Sequence, residues 1–149
     1  MHKKILRLWA QTKLYVWPEA YYLISLPLEQ LEPAFSAAAH AACFSALIKE
    51  RDEISVTLSA AAWHSISSKL SPRATAGPYR VITFDLELDL SICGYFAPAA
   101  ERLAEAGVSI VPQCAYLKDH VLIQAEKIEQ AIRLLQELIE SARSGGVVE

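Results

Sequence analysis

Hydrophobic and polar positions change period several times along this chain, and the clearest stretch is Tyr79–Asp89. There Ile82, Phe84, Leu86 and Leu88 alternate with Thr83, Asp85, Glu87 and Asp89, the period of two that sends successive strand side chains to opposite faces. Such a strand packs one face on a core and turns the other to water or a partner, as in an antiparallel sheet covered by helices on one side. A loop, LSICG, follows, and its Gly94 can adopt backbone angles that other residues resist. The period then changes to that of a helix over Phe96–Ala106, with Ala99, Ala100, Leu103 and Ala104 on one stripe and Gly107 at the position that closes it. Val108–Tyr116 and Asp119–Gln124 read as two strands joined by a tight Leu117-Lys118 turn. Pro112 has no amide proton, so the first of these strands needs an edge or a bulge there. Glu126–Ser144 is the longest predicted helix, with Ile128, Ala131, Ile132, Leu135, Leu138, Ile139 and Ala142 as its apolar stripe and Gly145-Gly146 as its stop.

The order from Tyr79 onward is therefore β-α-β-β-α, one strand short of a ferredoxin-like βαββαβ unit. The first half carries a weaker copy of it. Lys13–Trp17 and Tyr21–Leu26 read as strands around Pro18, followed by a helix from about Leu28 to Ala42. Pro33 is tolerable only in a first helical turn, which moves the true start of that helix towards Glu32. Phe44–Lys49 and Glu53–Ser59 form a strand pair turning at Arg51-Asp52, and Ala60–Leu70 a short helix. Ser71–Pro78 (SPRATAGP), rich in turn formers and free of large apolar residues, reads as the linker. Two similar α+β halves meeting near residue 75 are expected. The missing last strand leaves backbone groups unpaired, a gap that the opening strand of the chain, or a second molecule, would fill.

Composition narrows the choices. The 149 residues carry 14 Lys+Arg against 17 Asp+Glu, a net charge of −3, and 53% are hydrophobic. That length buries roughly 68–70% of the unfolded surface without disulfide or metal support. The acidic balance argues against nucleic acid, whose phosphates need a basic face. Cys43, Cys93 and Cys114 form no CxxC pair, so neither a zinc knuckle nor a redox dithiol is indicated, and buried free thiols in a reducing compartment are expected. The opening MHKKILRLWA faintly resembles a signal peptide, but Arg7 and Lys13 interrupt the apolar run one would need. The longest charge-free run, Pro33 to Ile48, is shorter than a membrane span and holds Ser36, His40 and Ser45. It reads as a packed helix running into a strand, and a soluble cytoplasmic protein is expected. His64 and His120 belong to no nucleophile or metal-spacing motif, and Trp9, Trp17 and Trp63 lack the interleaved basic residues of a base-stacking platform.

Three stretches resemble a known family. CFSALIKERDEISVTLS (Cys43–Ser59) is similar to the F-S-x-T-x-x-x-D-E-h-S-h-V segment (h, apolar) of paired ACT-domain proteins, with Leu47 or Ile48 in place of the Thr. LDLSICGYFAPAAERLAEAGVSI (Leu88–Ile110) matches in Cys93-Gly94 and in its helix end. CAYLKDHVLIQAEKIEQAIRLL (Cys114–Leu135) matches the S-T-x-x-x-D-x-h-L-V pattern, with Cys114-Ala115 replacing the small hydroxyl pair. More narrowly, the chain resembles the paired-ACT group that includes the cytosolic arginine sensors of animals and many short bacterial proteins.

This resemblance implies an α+β fold of two ferredoxin-like ACT halves, 1–75 and 76–149, with antiparallel sheets and helices on one face. It also implies an amino acid bound at an interface between ACT units. The loop after the first strand of one unit, Asp89, Leu90, Ser91, Ile92, Cys93 and Gly94, would face the second-strand start of the other, Val108, Ser109 and Ile110. Ala115, Tyr116, Lys118 and Asp119 form the hairpin side. Amides near a helix N-terminus suit the ligand's carboxylate, and carbonyls with a carboxylate suit its ammonium. Ile92 stands where the arginine sensors carry the acidic residue that meets the guanidinium, which favours a smaller or more apolar side chain. Asp119 has a second role open to it, capping its own hairpin turn, and Asp89 and Ser109 have similar local roles. The function expected is a non-catalytic, homodimeric regulatory protein that needs no cofactor or metal. An interaction module docking on a partner enzyme, and a small enzyme on a ferredoxin-like sheet, are the alternatives.

Overall fold

The computed structural model describes residues 3–145. In chain order these form α1 (Lys3–Gln11), β1 (Leu14–Val16), β2 (Tyr21–Leu26), α2 (Leu31–Ala39), β3 (Ala46–Lys49), β4 (Ile54–Ser59), α3 (Ala60–Ile66), β5 (Ala74–Phe84), α4 (Ala97–Glu105), β6 (Ile110–Cys114), β7 (Asp119–Gln124) and α5 (Ile128–Gly145). The fold is α+β. Two compact units divide it: one takes the described residues up to Val16 together with those from Ile82 onward, and the other is Trp17–Val81. This division differs from contiguous halves 1–75 and 76–149, because the opening residues pack with the end of the chain.

In the first unit the strands run in the order β1-β5-β7-β6. β1 lies antiparallel to the end of β5, with Leu14 opposite Phe84, Tyr15 opposite Thr83 and Val16 opposite Ile82. The opening strand thus takes the place of the strand that the β-α-β-β-α order lacks, and it covers the β5 edge from within the same chain. β6 pairs β7 with Pro112 opposite Val121, and Pro112 sits on the outer strand, as its missing amide proton requires. Ile82 and Phe84 from β5, and Val121 and Ile123 from β7, meet Trp9 of α1, Leu103 of α4 and Leu135 of α5 in one core. The three helices therefore cover one face of the strands. Thr83, on the opposite parity, is buried too, so at this point the alternation marks two packed faces rather than a packed and a wet one. Its hydroxyl is satisfied by the His120 ring, with Oγ1 and Nδ1 2.7 Å apart.

The second unit repeats the topology as β2-α2-β3-β4-α3-β5, its strands ordered β3-β4-β2-β5. Ile24, Leu26, Val56 and Leu58 pack against Ala34 of α2 and Trp63 of α3. Pro33 falls in the first turn of α2, and a 3-10 turn over Leu28–Gln30 precedes it, as the proline's geometry demands.

Two elements depart from the pattern reading. β5 begins at Ala74 and ends at Phe84 rather than running from Tyr79 to Asp89. The expected linker is therefore partly strand, with Ala74, Thr75 and Ala76 opposite Ser25, Ile24 and Leu23 of β2. Its side chains are small and exposed, so backbone pairing makes this strand and no apolar alternation marks it. Gly77, at φ +139, sits where an added Cβ would come within 2.8 Å of the Tyr21 carbonyl oxygen, so only glycine fits beside the irregular register there. The second departure is α1, which forms where no element is expected. Ile5, Leu8 and Trp9 lie at helical spacing, but the stripe is too short to stand out. Gly146 of the expected Gly145-Gly146 stop lies outside the described residues, and α5 runs through Gly145.

Candidate functional site

Past Phe84 the chain leaves the strand, with Leu86 N–H donating to the Phe84 carbonyl at 2.9 Å, and it is fixed at both ends: Asp85 N–H donates to the Lys13 carbonyl (2.7 Å) and Leu88 N–H to that of Leu117 (3.0 Å). It then turns. Asp89 accepts from Ser91 N–H at 2.8 Å through Oδ1, and Ile92 N–H donates to the Asp89 carbonyl at 2.9 Å, a side-chain-stabilised turn of the kind Asp favours. Gly94 takes φ +83, a left-handed angle that lets the chain reverse into α4. Phe96, the residue before α4, offers no side-chain cap, so no cap competes for the helix's first free amides. Opposite this loop stands the β6–β7 hairpin, whose turn is closed by Ala115 N–H donating to the Lys118 carbonyl at 2.9 Å.

Loop and hairpin enclose a cavity of about 290 Å³. Asp89, Leu90, Ile92 and Gly94 line it from the loop, and Ala115, Tyr116, Lys118 and Asp119 from the hairpin. Ser91 and Cys93 do not, and neither do Val108, Ser109 and Ile110. Cys93 faces a second, more open cavity of about 600 Å³ on the helix side, which shares Gly94 and Ala97 with the first. Val108 is buried in the core, donating its N–H to the Leu103 carbonyl at 2.9 Å. Ser109 is exposed, and Ile110 pairs with Ile123. The cavity also recruits Leu88, Tyr95, Phe96, Ala97, Cys114 and Leu117. Sequence reasoning missed these six, although Leu88, Tyr95, Cys114 and Leu117 each adjoin a residue it did select in the loop or hairpin.

Polar and apolar groups line the cavity in nearly equal measure, with Asp89, Lys118 and Asp119 as its charged residues. Hydrogen bonds from Ser91, helped by the positive charge of Lys4, hold the Asp89 carboxyl below its ordinary range. Lys118 is bound by Asp85 at 2.5 Å outside the lining, an ion pair that lowers the Asp85 pKa and raises that of Lys118. Burial, then a hydrogen bond to Asp119, pushes the Cys114 thiol up to about 11. Burial likewise raises the Tyr95 hydroxyl to about 12. His120, behind the hairpin, is depressed by burial. Among the described residues no group of three or more His, Cys, Asp or Glu side chains could hold a metal ion, and no helix is long and apolar enough to cross a membrane.

Every residue that lines the cavity falls within one segment that matches a known family. Residues 75–137 match the ACT domain family. The matched segment spans nearly all of β5, then α4, β6, β7 and the first turns of α5; ACT domains generally bind small ligands such as amino acids. Comparison with curated proteins gives no match. Among solved structures, a Vibrio cholerae protein of unknown function, described as a possible transport protein, superposes with a TM-score of 0.70 at 23% identity, covering 92% of this chain and 96% of that one. An aspartokinase alpha and beta subunit structure gives 0.67 at 18% identity, with 92% and 99% covered. The regulatory subunit of aspartate kinase from Thermus flavus gives 0.59 at 15%, with 84% and 95% covered. At these identities the likeness is one of fold.

Proposed function

We propose that this chain is a non-catalytic, cytoplasmic regulatory protein that binds an amino acid at its ACT domain, in the cavity between the Asp89–Gly94 loop and the β6–β7 hairpin. The carrying observation is that this cavity draws Asp89, Gly94 and Asp119 together with the uncapped start of α4. The ligand's ammonium meets a carboxylate, and its carboxylate meets main-chain amides. Leu88, Ile92 and Phe96 supply the wall for its side chain, which favours a small or aliphatic amino acid over arginine.

Leu90 and Tyr116 at the rim are 70% and 75% exposed. That apolar rim supports closure by a second copy, whose Val108, Ser109 and Ile110 would supply the other wall of the site in a homodimer. Trp17–Val81, with its equivalent strand order, is proposed as a second ACT-like unit of the paired-ACT kind. The exposed rim also fits the interaction-module reading, in which a partner enzyme covers it and no metabolite binds.

A melting panel with the twenty amino acids separates the two readings. A ligand at 100 times its Kd stabilises by about 2.7 kcal/mol, a readily measured rise in Tm. A flat panel removes the amino-acid reading and leaves the interaction module.

A further inference from the structure

Tyr95 lines the cavity, immediately after Gly94 and two residues before α4 begins. Besides an edge-on ring contact with Phe84, three contacts hold it from the opening helix region more than eighty residues away. The Trp9 indole Nε1–H donates to the Tyr95 carbonyl at 2.8 Å. The Trp9 ring stacks on the Tyr95 ring at 4.9 Å with planes 9° apart. The Thr12 Oγ1 and the Tyr95 hydroxyl are 2.7 Å apart, both buried. Carbonyl, ring face and hydroxyl are thus each held by residues of α1 or its immediate continuation.

We infer that Tyr95 is a positioning residue that couples the cavity to α1, so that the seating of α1 and the shape of the cavity are one equilibrium and α1 is the element through which occupancy is read out. The inference rests on the reading of this cavity as the ligand site. α1 has nine residues, too few to be stable alone, so it persists by packing. Ile5 and Trp9 are buried, and Arg143 of α5 donates through Nε to the Ala10 carbonyl at 3.0 Å. Unseating α1 would strip Tyr95 of its stack and of both hydrogen bonds, leaving buried polar groups unpaired. The Gly94–Ala97 wall would then be free to shift. By linkage, a ligand that binds the ordered wall more tightly must favour the seated helix by the same factor.

Hydrogen exchange on the full chain tests this without a ligand. Tyr95→Phe removes one hydroxyl and keeps the stack; Thr12→Val keeps the shape but removes a hydroxyl that also donates to the Leu8 carbonyl at 2.9 Å. Tyr95→Phe should raise amide exchange about fivefold, the worth of one typical hydrogen bond, in two segments together, Lys3–Gln11 and Asp89–Tyr95, and Thr12→Val by at least as much in the same two segments. β7 and the centre of α5 should keep wild-type rates, and Thr12→Ser should restore both segments. Faster exchange in α1 with an unchanged loop, or a uniform rise throughout the unit, overturns the coupling. In a second arm, with L-leucine and L-phenylalanine as probes, whichever raises Tm should also slow exchange in Lys3–Gln11; a raised Tm with α1 unaffected overturns the read-out role. A flat melting panel bears on the amino-acid reading, whereas the ligand-free exchange result judges the coupling by itself.

Discussion

At the scale of single residues, the proposed site is tested best at one glycine and one aspartate. Gly94 is left-handed at φ +83 with nothing within 4 Å of an added Cβ. Gly94→Ala therefore tests backbone conformation free of steric clash, and should cost about 1–2 kcal/mol in urea unfolding. Asp119 begins β7 opposite Cys114, lining the cavity while hydrogen-bonded to that thiol. Asp119→Ala should abolish any ligand-induced rise in Tm while leaving the unliganded protein folded by circular dichroism; a wild-type response would remove Asp119 from the site. The same aspartate adds to the burial that lowers the reactivity of the Cys114 thiol. With the thiol at about 11, only about one Cys114 in a thousand is thiolate at pH 8, so iodoacetamide labelling should rise roughly tenfold per pH unit up to about pH 11. A negative neighbour disfavours thiolate, so Asp119→Asn should shift that profile to lower pH, read by peptide mass spectrometry.

At the scale of elements, legibility followed the source of each element's stability. β2 and β7 have the expected limits, Tyr21–Leu26 and Asp119–Gln124, because apolar positions and turn formers bound them locally. α5 was legible from its stripe, and Leu135 on that stripe is fully buried. Leu135→Ala should cost about 2–5 kcal/mol in denaturant unfolding; a loss under 1 kcal/mol would mean that the helix does not anchor the core as described. β5 was legible only from Tyr79 to Phe84. Its first residues are exposed and small, and they are strand because β2 offers hydrogen bonds, information that lies in residues fifty positions earlier. α1 was missed for a related reason: Ile5 and Trp9 become a buried face only once α5 and Tyr95 stand opposite them.

At the scale of the whole molecule, the chain closes one unit by joining its two ends. Deleting residues 1–16 removes β1 from the β5 edge and Trp9 from the core. Loss of a buried Trp alone costs about 3–5 kcal/mol, against a total of about 5–15 kcal/mol for a typical domain. The truncated chain should therefore lose the cooperative calorimetric transition of that unit and tend to associate through the bared strand. A wild-type transition would show that the opening segment is dispensable. The sequence by itself determined the α+β class, the β-α-β-β-α order, and the loop and hairpin that meet at the cavity, because period, turn residues and glycines act over a few positions. Tertiary structure decided which strand completes the sheet and that Tyr95 is held from α1. Those outcomes depend on hydrogen bonds and packing between segments far apart in the chain, which no local pattern records.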